Sequence, residues 1–431
     1  MPPSPPNLGT LAIHGGTPVR EKLLPYGRQS LDEDDIQAVV EVLRSDWLTT
    51  GPKVGEFEQA FADWVGARYA VSFSSGTAAL HGSAFAAGLG RGDEAITTPL
   101  TFCATANCVL YQGATPVFAD VCDDTLNLDP HAVLKKLSPR TKAVIAVDYA
   151  GHPATLDELR QIAEKVGAVL IEDACHALGA EYRGKRVGSL ADMTIFSFHP
   201  VKHLTTGEGG MVTTNSASLA ETLRRFRNHG ISSEARERQE SGQWFYEMVL
   251  LGFNYRLTDI ACALGLSQLG KLEPNLARRR EIASQYARAF CEMTDIETEA
   301  GSVVKLPAVR EGVNPAWHLY PIRLNLEALS AGRAEIFRAL RAENVGVNVH
   351  YIPVHRHPYY REHFPAASRE GSCPVAEDAY ERLISLPMFH AMTEKDMADV
   401  IRAIRKVLGY YAMNAERLHE LAASQSEQKH V

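Results

Sequence analysis

The chain has 431 residues, of which 45% are hydrophobic and 22% are charged, and its formal net charge is −8. A chain of this length exceeds one ordinary hydrophobic core, so we expect two domains. The negative balance gives no global field that would attract nucleic acid or an acidic membrane surface.

In chain order, residues 1–30 begin with a proline-rich stretch and are expected to form an irregular N-terminal arm. Acid at Asp32–Asp35 ahead of periodic apolar residues predicts a helix, and a second predicted helix carries Phe57 and Phe61. From residue 69 to about 215, short apolar runs alternate with helical patterns. The candidate strands are Tyr69–Phe73, Glu94–Thr97, Thr115–Phe118, Ala143–Val147 and Ala168–Ile171. This alternation predicts a mainly parallel sheet with helices on both sides.

The segment after residue 270 predicts a second, smaller α/β unit. It begins with a basic helix in which Arg278–Arg280 are interpreted as a solvated face. The candidate elements are strands at His318–Leu324 and Val345–Tyr351 and helices at Ala334–Glu343 and Thr393–Leu408. The predicted parts of the chain are an N-terminal arm at 1–30, a large domain at 31–270, a small C-terminal domain at 271–410 and a polar tail at 411–431.

Three absences in the sequence bear on the cellular location. No apolar run approaches the roughly 18 residues that a membrane-spanning helix needs. The proline-rich start has neither the charged nor the apolar region of a secretory signal. The seven cysteines are scattered and lack a Cys-x-x-Cys pair, which is typical of reduced thiols. We therefore expect a cytoplasmic protein with neither a membrane nor a nucleic acid as its partner.

A turn rich in small residues follows the first predicted strand. Ser74, Ser75, Gly76 and Thr77 come before the helix that continues at Ala78. Backbone amides at a helix N-terminus can bind an anion such as a phosphate group, so Thr77 and Ala78 are candidate ligands. A plain helix N-cap is the alternative, because it explains the same residues without any ligand.

Two ionisable residues stand in apolar surroundings further along the chain. Asp173 follows a buried apolar run, and such a carboxylate stays ionised only if it meets a cation. Lys202 follows Phe196 and Phe198, surroundings that favour the neutral amine of a Schiff-base lysine. An ion pair for Asp173 and a surface position for Lys202 are the alternatives. With the anion site, however, the pair matches what pyridoxal phosphate requires: a held phosphate, a protonated ring nitrogen and a reactive amine.

A metal site is not expected, although several histidines occur in the last third of the chain. His318, His350, His355 and His357 match no usual zinc spacing, and no cysteine cluster accompanies them.

Five motifs make the chain similar to a known family. They are SSGTAAL at 74–80, EDACHA at 172–177, SFHPVK at 197–202, TTGEGG at 205–210 and GFNYRLTD at 252–259. From about Pro25 to Leu408, the chain resembles the DegT/DnrJ/EryC1/StrS family of sugar-nucleotide aminotransferases. The resemblance implies a fold-type-I α/β architecture, with a large domain around a mainly parallel, seven-stranded sheet and a smaller C-terminal α/β domain.

The resemblance also implies roles for single residues, with pyridoxal 5′-phosphate as the cofactor. Lys202 would form the Schiff base and shuttle protons, Asp173 would pair with the pyridine nitrogen, and His176 would reach the ring oxygen. Phe102 would stack on the ring, and Asn254 would reach the phosphate of the cofactor in the other subunit. Each site would then need both chains of a homodimer. The other phosphate ligands would be Gly76, Thr77, Ala78 and Ser197.

The substrates that the resemblance implies are L-glutamate and a keto-sugar nucleotide. Within the family, the chain is most similar to the branch that aminates C4 of UDP-2-acetamido-2,6-dideoxy-β-L-arabino-hex-4-ulose for pseudaminic acid. His350 and Tyr351 would edge the sugar pocket, and Tyr26 and Arg256 would contact the nucleotide. A structural role for His350 and Tyr351 and an interface salt bridge for Arg256 are the alternatives.

Other functions stay open at this point. The substrate could be a GDP- or dTDP-linked keto sugar instead. A dehydratase of the same family is disfavoured, because such relatives replace the lysine with histidine and Lys202 is present. An amino-acid aminotransferase stays open, and it would be expected to carry a dedicated arginine for the second carboxylate. A regulator that binds the cofactor without catalysis would need a DNA-binding segment, which neither end of the chain resembles.

Overall fold

The structure is a computed structural model, and it describes residues 9–233, 238, 241–293, 296, 298 and 301–413. The predictions for the proline-rich start at 1–8 and for residues 414–431 of the polar tail lie outside the described residues. Among the helices that are described, none has the length and apolar character needed to cross a membrane.

The elements alternate along the first half of the chain as predicted. The strands are β1 (Tyr69–Phe73), β2 (Glu94–Thr97), β3 (Thr115–Phe118), β4 (Thr141–Val147), β5 (Val169–Asp173), β6 (Glu181–Tyr182), β7 (Lys185–Arg186), β8 (Met193–Ser197), β9 (Gly210–Thr214), β10 (Val304–Lys305), β11 (Val313–Asn314), β12 (Tyr320–Leu324) and β13 (Leu383–Leu386). The α-helices are Glu33–Leu43, Pro52–Val65, Gly76–Ala86, Ala104–Tyr111, Pro130–Lys136, Leu156–Glu164, Ala217–Arg227, Asp259–Gly270, Leu272–Cys291, Arg333–Ala342, Pro358–His363, Pro374–Arg382 and Glu394–Tyr411.

A seven-stranded sheet lies at the centre of the larger unit, in the order β1-β9-β8-β5-β4-β2-β3. Its strands run in one direction except β9, which is antiparallel to both of its neighbours. Strands such as β2 and β8 are buried along nearly their whole length, as expected for a sheet covered by helices on both faces. The predicted fold class is confirmed.

A second sheet, in the order β10-β12-β13, forms the smaller unit and is antiparallel throughout. The predicted strand at Val345–Tyr351 is wrong. Residues there make only isolated bridges, from Val345 to Leu24 and from Asn348 to Ser385. The buried strand β13 pairs with β12 instead, and β10 takes the other edge of β12, so the segment reaches only the outer edge of β13.

Short-range sequence signals set where two important helices begin. Asp32 and Asp35 cap each other's backbone at the start of the helix Glu33–Leu43. Thr393 and Asp396 form the same reciprocal arrangement before the last helix. Such capping boxes satisfy N–H groups that the helix itself leaves unpaired, which fixes the first residue of each helix.

The N-terminal arm is tied to the smaller unit through one buried carboxylate. Glu343 is fully buried and accepts hydrogen bonds from the N–H groups of Ala12, at 2.9 Å, and Val19, at 2.8 Å. It also pairs with Lys406 at 2.8 Å, and Lys406 donates to the carbonyl of Thr17 at 2.9 Å. A buried ion pair offsets its desolvation cost only when further hydrogen bonds complete it, and here the arm supplies them.

Two buried carboxyl groups lie where β4 and β5 end. Asp148 accepts from the N–H of Ala154 at 2.9 Å, and Glu172 accepts from the hydroxyl of Thr194 at 2.7 Å. Both residues have no exposed surface. Burial raises the pKa of Glu172 to about 7, and burial together with the charge of Glu172 raises the pKa of Asp148 well above its usual value. The pair therefore holds a proton in the folded protein that the unfolded chain releases.

This proton makes stability depend on pH, and the substitution Glu172→Gln tests it. In the unfolded chain the Glu172 carboxyl ionises near its ordinary pKa of 4.5, whereas in the fold it ionises at about 7. The stabilisation that the Glu172 carboxyl gives to the folded protein is thus fully present below pH 4.5 and is lost as the pH rises through 7. Relative to wild type, the variant should gain on the order of 1–3 kcal/mol in unfolding free energy between pH 5 and pH 8. Urea unfolding across this range measures the difference.

The matched control is Glu164→Gln, which changes an exposed carboxylate on the helix Leu156–Glu164. Its stability should follow that of wild type at every pH. If the curve of Glu172→Gln also runs parallel to that of wild type, the pair holds no extra proton.

Candidate active site

A cavity of about 400 Å³ opens where β4, β5 and β8 end, and residues of the smaller unit close its other side. Ligands of open α/β sheets bind at the carboxyl ends of the strands. Ten of the thirteen candidate residues from the sequence line the cavity: Tyr26, Gly76, Thr77, Phe102, Asp173, His176, Ser197, Lys202, His350 and Tyr351. The other three, Ala78, Asn254 and Arg256, do not line it.

Asp173 is the last residue of β5, and its carboxylate lies in the wall of the cavity with 5% of the residue exposed. The hydroxyl of Thr105 donates to Oδ2 at 2.7 Å, and the N–H of Cys175 donates to Oδ1 at 3.2 Å. Each oxygen therefore has a donor that fixes its direction. An acid held in this way can face a cationic group of a ligand without turning away.

Lys202 lies in the loop after β8 and extends into the cavity. Its Nζ is 3.4 Å from Nε2 of His318. Burial lowers the pKa of Lys202, and the charge of Asp173 opposes that shift only in part. The amine is thus more often neutral than an exposed lysine, and the neutral amine is the form that attacks a carbonyl or accepts a proton.

Histidines surround this amine without adding charge. Burial lowers the pKa of His176, His203 and His318 well below the usual value, so each is neutral at pH 7. His176 Nε2 lies 3.0 Å from the hydroxyl of Tyr351. Its Nδ1 is buried without a hydrogen-bond partner among the described residues, which leaves that nitrogen for a polar atom of a ligand.

The start of the helix Gly76–Ala86 forms one end of the cavity. Gly76 approaches β8 so closely that a Cβ there would lie 3.0 Å from Cβ of Ser197, so glycine lets the turn meet the strand. Gly76, Thr77 and Ser197 present polar groups at this helix N-terminus, where an anion is favoured. Ser75 Oγ caps the amide of Ala78 at 3.1 Å, so the N-cap interpretation applies to that residue.

Aromatic residues form the rim of the cavity. His350 is buried, its Nδ1 lies 2.9 Å from Ser385 Oγ, and its ring packs on Tyr26 with centroids 5.3 Å apart. Phe102 stands on the open side, with 57% of its surface exposed and its ring 6.3 Å from that of Tyr351. A planar ligand would find apolar faces here and polar groups deeper in the cavity.

Asn254 and Arg256 lie apart from these residues. Asn254 is exposed, and its backbone forms a bridge with Asn228. Arg256 donates to Oδ1 of Asn228 at 2.7 Å and lines a separate cavity of about 690 Å³ together with Arg224 and Arg225. Within one chain, neither residue reaches the cavity that holds Lys202.

Sequence reasoning missed two contacts of the site and misjudged one residue near it. Thr105 and His318 touch Asp173 and Lys202 across 68 and 116 positions of chain, a distance over which no local pattern is informative. The interpretation of Arg278–Arg280 as a solvated face is wrong for Arg279, which is 1% exposed. Helical periodicity could have indicated that Arg279 lies on the buried face of its helix. The residue follows buried Leu276 by three positions and precedes buried Ala283 by four.

The donor set fits pyridoxal phosphate. The helix N-terminus suits its phosphate, and the Asp173 carboxylate suits a protonated ring nitrogen. The unpartnered Nδ1 of His176 suits a ring oxygen, and the Lys202 amine suits the aldehyde. These groups lie around one cavity large enough for a cofactor and part of a second molecule.

Comparison with known proteins gives the family. Residues 29–405 match the model of the DegT/DnrJ/EryC1/StrS aminotransferase family. The chain is 42% identical over 391 residues to the spore coat polysaccharide biosynthesis protein SpsC of Bacillus subtilis, covering 90% of this chain and 98% of that protein. The similarity therefore extends over nearly the whole of both chains.

Two solved structures match over the same length. Helicobacter pylori PseC, an aminotransferase involved in the biosynthesis of pseudoaminic acid, has a TM-score of 0.82 and 33% identity, covering 90% of this chain and all of that one. The putative sugar aminotransferase Spr1654 of Streptococcus pneumoniae, in its pyridoxal phosphate form, has a TM-score of 0.82 and 29% identity, covering 90% and 99%. The resemblance and the cofactor predicted from the sequence are both confirmed: the chain belongs to the DegT/DnrJ/EryC1/StrS aminotransferase family and is a sugar aminotransferase that depends on pyridoxal phosphate.

Proposed function

We propose that the protein transfers an amino group from L-glutamate to C4 of UDP-2-acetamido-2,6-dideoxy-β-L-arabino-hex-4-ulose. The product would be UDP-4-amino-4,6-dideoxy-N-acetyl-β-L-altrosamine, for pseudaminic acid or a related surface glycan. The observation that carries the proposal is a single cavity lined by Lys202 and Asp173 from the larger unit and by His350 and Tyr351 from the smaller unit. This arrangement supports amine chemistry at the base and recognition of a sugar at the mouth.

The Nζ of Lys202 would carry the proton transfers. In the first half-reaction it takes the proton from Cα of glutamate, and in the second it returns a proton to C4 of the sugar. The lowered pKa of Lys202 favours the neutral amine that the first step needs. When bound, pyridoxal phosphate supplies the electron sink that makes the Cα proton acidic.

Other residues would hold the cofactor and orient it. Gly76, Thr77 and Ser197 suit the phosphate. The amide of Ala78 would also bind the phosphate after exchanging its hydrogen bond to Ser75 Oγ. Asp173 would face the ring nitrogen, and its Thr105 and Cys175 donors keep it in place. Phe102 would cover one ring face, and His176 would reach the ring oxygen.

The proposed sugar rests on the similarity to PseC, together with the buried position of His350. That histidine is held by Ser385 on one side, and its carbonyl accepts from the Tyr149 hydroxyl at 2.6 Å. A fixed, neutral imidazole and the Tyr351 hydroxyl can discriminate sugar hydroxyl and amide groups by hydrogen bonding. The similarity to SpsC, a spore coat polysaccharide biosynthesis protein, supports a second candidate, the keto sugar of another surface polysaccharide, which could be linked to GDP or dTDP.

A homodimer would complete each site. Asn254 would reach the phosphate of the partner's cofactor, and Arg256 with Tyr26 would contact the nucleotide. Asn254 is exposed in the single chain, which leaves it free for such a contact. Apolar side chains are exposed nearby, among them Trp244 at 83% and Leu251 at 73%. Exposed apolar groups of this size are typical of a surface that another chain covers.

The substitution Lys202→Ala tests the catalytic amine. The variant should still bind the cofactor noncovalently but should lose transamination with glutamate by at least about a thousandfold, because no other lysine lines the cavity among the residues that the structure describes. Single-turnover absorbance of the cofactor after glutamate addition measures the loss. Lys165→Ala, at an exposed position, is the control and should behave as wild type. Unchanged turnover in Lys202→Ala would remove Lys202 from the mechanism.

The sugar is tested with three substrates. Enzyme first converted with glutamate is mixed with UDP-, GDP- or dTDP-linked 4-keto sugars. We expect the UDP-linked N-acetyl sugar to restore the absorbance of the aldehyde form fastest, by at least about tenfold, because a missing hydrogen-bond partner costs that much or more. A faster reaction with a GDP- or dTDP-linked sugar would leave the aminotransferase assignment intact and replace the proposed substrate.

Mixed dimers test whether a site needs two chains. Lys202→Ala and Asn254→Ala should each be nearly inactive alone. After mixing and subunit exchange, half of the dimers are hybrids with one intact site, so activity should return to about a quarter of the wild-type value. Size-exclusion chromatography confirms that the chains are dimeric before and after exchange. No recovery in exchanged dimers would mean that Asn254 serves the site of its own chain.

A further inference from the structure

Arg279 differs from the other buried arginines of the described chain in having no carboxylate partner. It projects from the helix Leu272–Cys291 toward the turn before β12 and is 1% exposed. Arg227, which is also buried, pairs with Glu58, and Arg323 pairs with Asp123. No ion pair of Arg279 occurs among the residues that the structure describes. Burying a guanidinium without an opposite charge is costly, so its position requires an explanation.

The contacts of Arg279 are to backbone carbonyls near the site. Its Nη1 donates to the carbonyls of Met388 at 3.0 Å, Trp317 at 3.2 Å and, at the limit of a hydrogen bond, His318 at 3.5 Å. Trp317 has a φ of 51°, a left-handed conformation that is unfavourable for a bulky residue. The guanidinium therefore stabilises a turn that the local sequence would not adopt by itself.

The same turn carries His318 to Lys202. Residues on both sides hold this turn tightly. Gly151 packs so closely that a Cβ added to it would lie 2.9 Å from the backbone nitrogen of His318. His203 Nε2 donates to the Ala316 carbonyl at 3.0 Å. The His318 ring then reaches within 3.4 Å of the Lys202 amine. One residue thus separates the Arg279 guanidinium from the amine.

The charges that face Lys202 are few. The buried titratable and charged groups around it are Asp173, Cys175, His176, His203, His318, His350 and Arg279. Tyr26, His199, Glu208 and Tyr351 also line the cavity. The buried histidines are neutral at pH 7 because burial lowers their pKa values, in His350 to about 4. Burial raises the pKa of the Cys175 thiol, which is neutral as well. The charge of Glu208 is exposed, so solvent screens it. Asp173 and Arg279 are the buried charged side chains of this set, with opposite effects on the amine.

We infer that Arg279 is a positioning residue for transamination, which holds the His318 turn against the Lys202 amine and places a fixed positive charge behind it. The inference rests on the proposed role of Lys202. Asp173 attracts a proton to the amine, and Arg279 counters that attraction from the opposite side. The site can then keep the carboxylate that the cofactor needs without protonating its own base.

Two substitutions separate the two effects of Arg279, its positive charge and its hydrogen bonds to the turn that carries His318. Arg279→Gln keeps a hydrogen-bond donor but removes the charge. Arg279→Lys keeps the charge, but its side chain is one bond shorter, so its ammonium falls short of the carbonyls that Nη1 of Arg279 reaches. Arg278→Gln is the control, since Arg278 pairs with Glu281 and Glu394 at the surface of the same helix.

Two measurements are made on the holoenzyme. The first is the pH dependence of the half-reaction with glutamate in single turnover. The second is the pH dependence of trace acetylation of Lys202 after conversion with glutamate, read by mass spectrometry, which reports the free amine without relying on turnover. Removal of one like charge should move the midpoint of both profiles up by about one pH unit.

The expected results differ between the variants. Arg279→Gln should shift both midpoints upward and lower the rate near neutral pH by about tenfold. Arg279→Lys should keep the wild-type midpoint but lower the rate at every pH, because the His318 turn loosens. Wild-type midpoints in Arg279→Gln, with only a lower melting temperature, would overturn the charge effect and leave a structural arginine.

Two further outcomes are also decisive. If Arg279→Gln does not fold, Arg279→Lys decides alone, and a wild-type rate in that variant would overturn the inference. If Lys202→Ala retains transamination, the proposed role of Lys202 fails instead, and the profiles of the Arg279 variants no longer concern the catalytic base.

Discussion

The constraint on which the site depends is that Lys202 must be a neutral amine beside a carboxylate. Asp173 favours a proton on the amine, whereas burial disfavours it, and the lowered pKa of Lys202 shows that burial prevails. Burial acts on the neighbouring groups as well. It keeps His176 and His318 neutral, so they surround the amine with hydrogen-bonding groups that carry no charge. The apolar and neutral environment is therefore as much a part of the chemistry as the lysine itself.

The fold produces this environment by bringing two units together. The sheet supplies Asp173 from the end of β5 and Lys202 from the loop after β8, because parallel strands end at one edge. The smaller unit supplies His318 from the turn before β12 and Tyr351 from the irregular segment before the helix Pro358–His363. Without the smaller unit, the amine would face water and would hold its proton. The relative position of the two units thus sets the reactivity of the lysine.

Local sequence predicted the elements that depend on local pattern. The bounds of β1, β2 and β3 agree with the predicted strands residue for residue, because each is a short run with apolar or β-branched residues between turn signals. The segment Val345–Tyr351 alternates valines with glycine, asparagine and histidine, and it makes only isolated bridges, to Leu24 and to Ser385 of β13. Both edges of β12 are taken, by β10 and β13. Which segments pair in a sheet depends on residues far apart in the chain, so the local pattern of one segment does not predict it.

The site residues divide in the same way. Motifs identified Lys202 and Asp173 because each follows a recognisable strand, whereas Thr105 and His318 become neighbours only through the fold. The charges that line the cavity also depend on the fold. Among the described residues that line it, Lys202 is the only lysine or arginine, and a nucleotide diphosphate needs cations. Arg256 lies instead in a separate, arginine-rich cavity of the same chain. In the proposed dimer, a second copy would bring such a surface to the cavity and supply cations for the substrate.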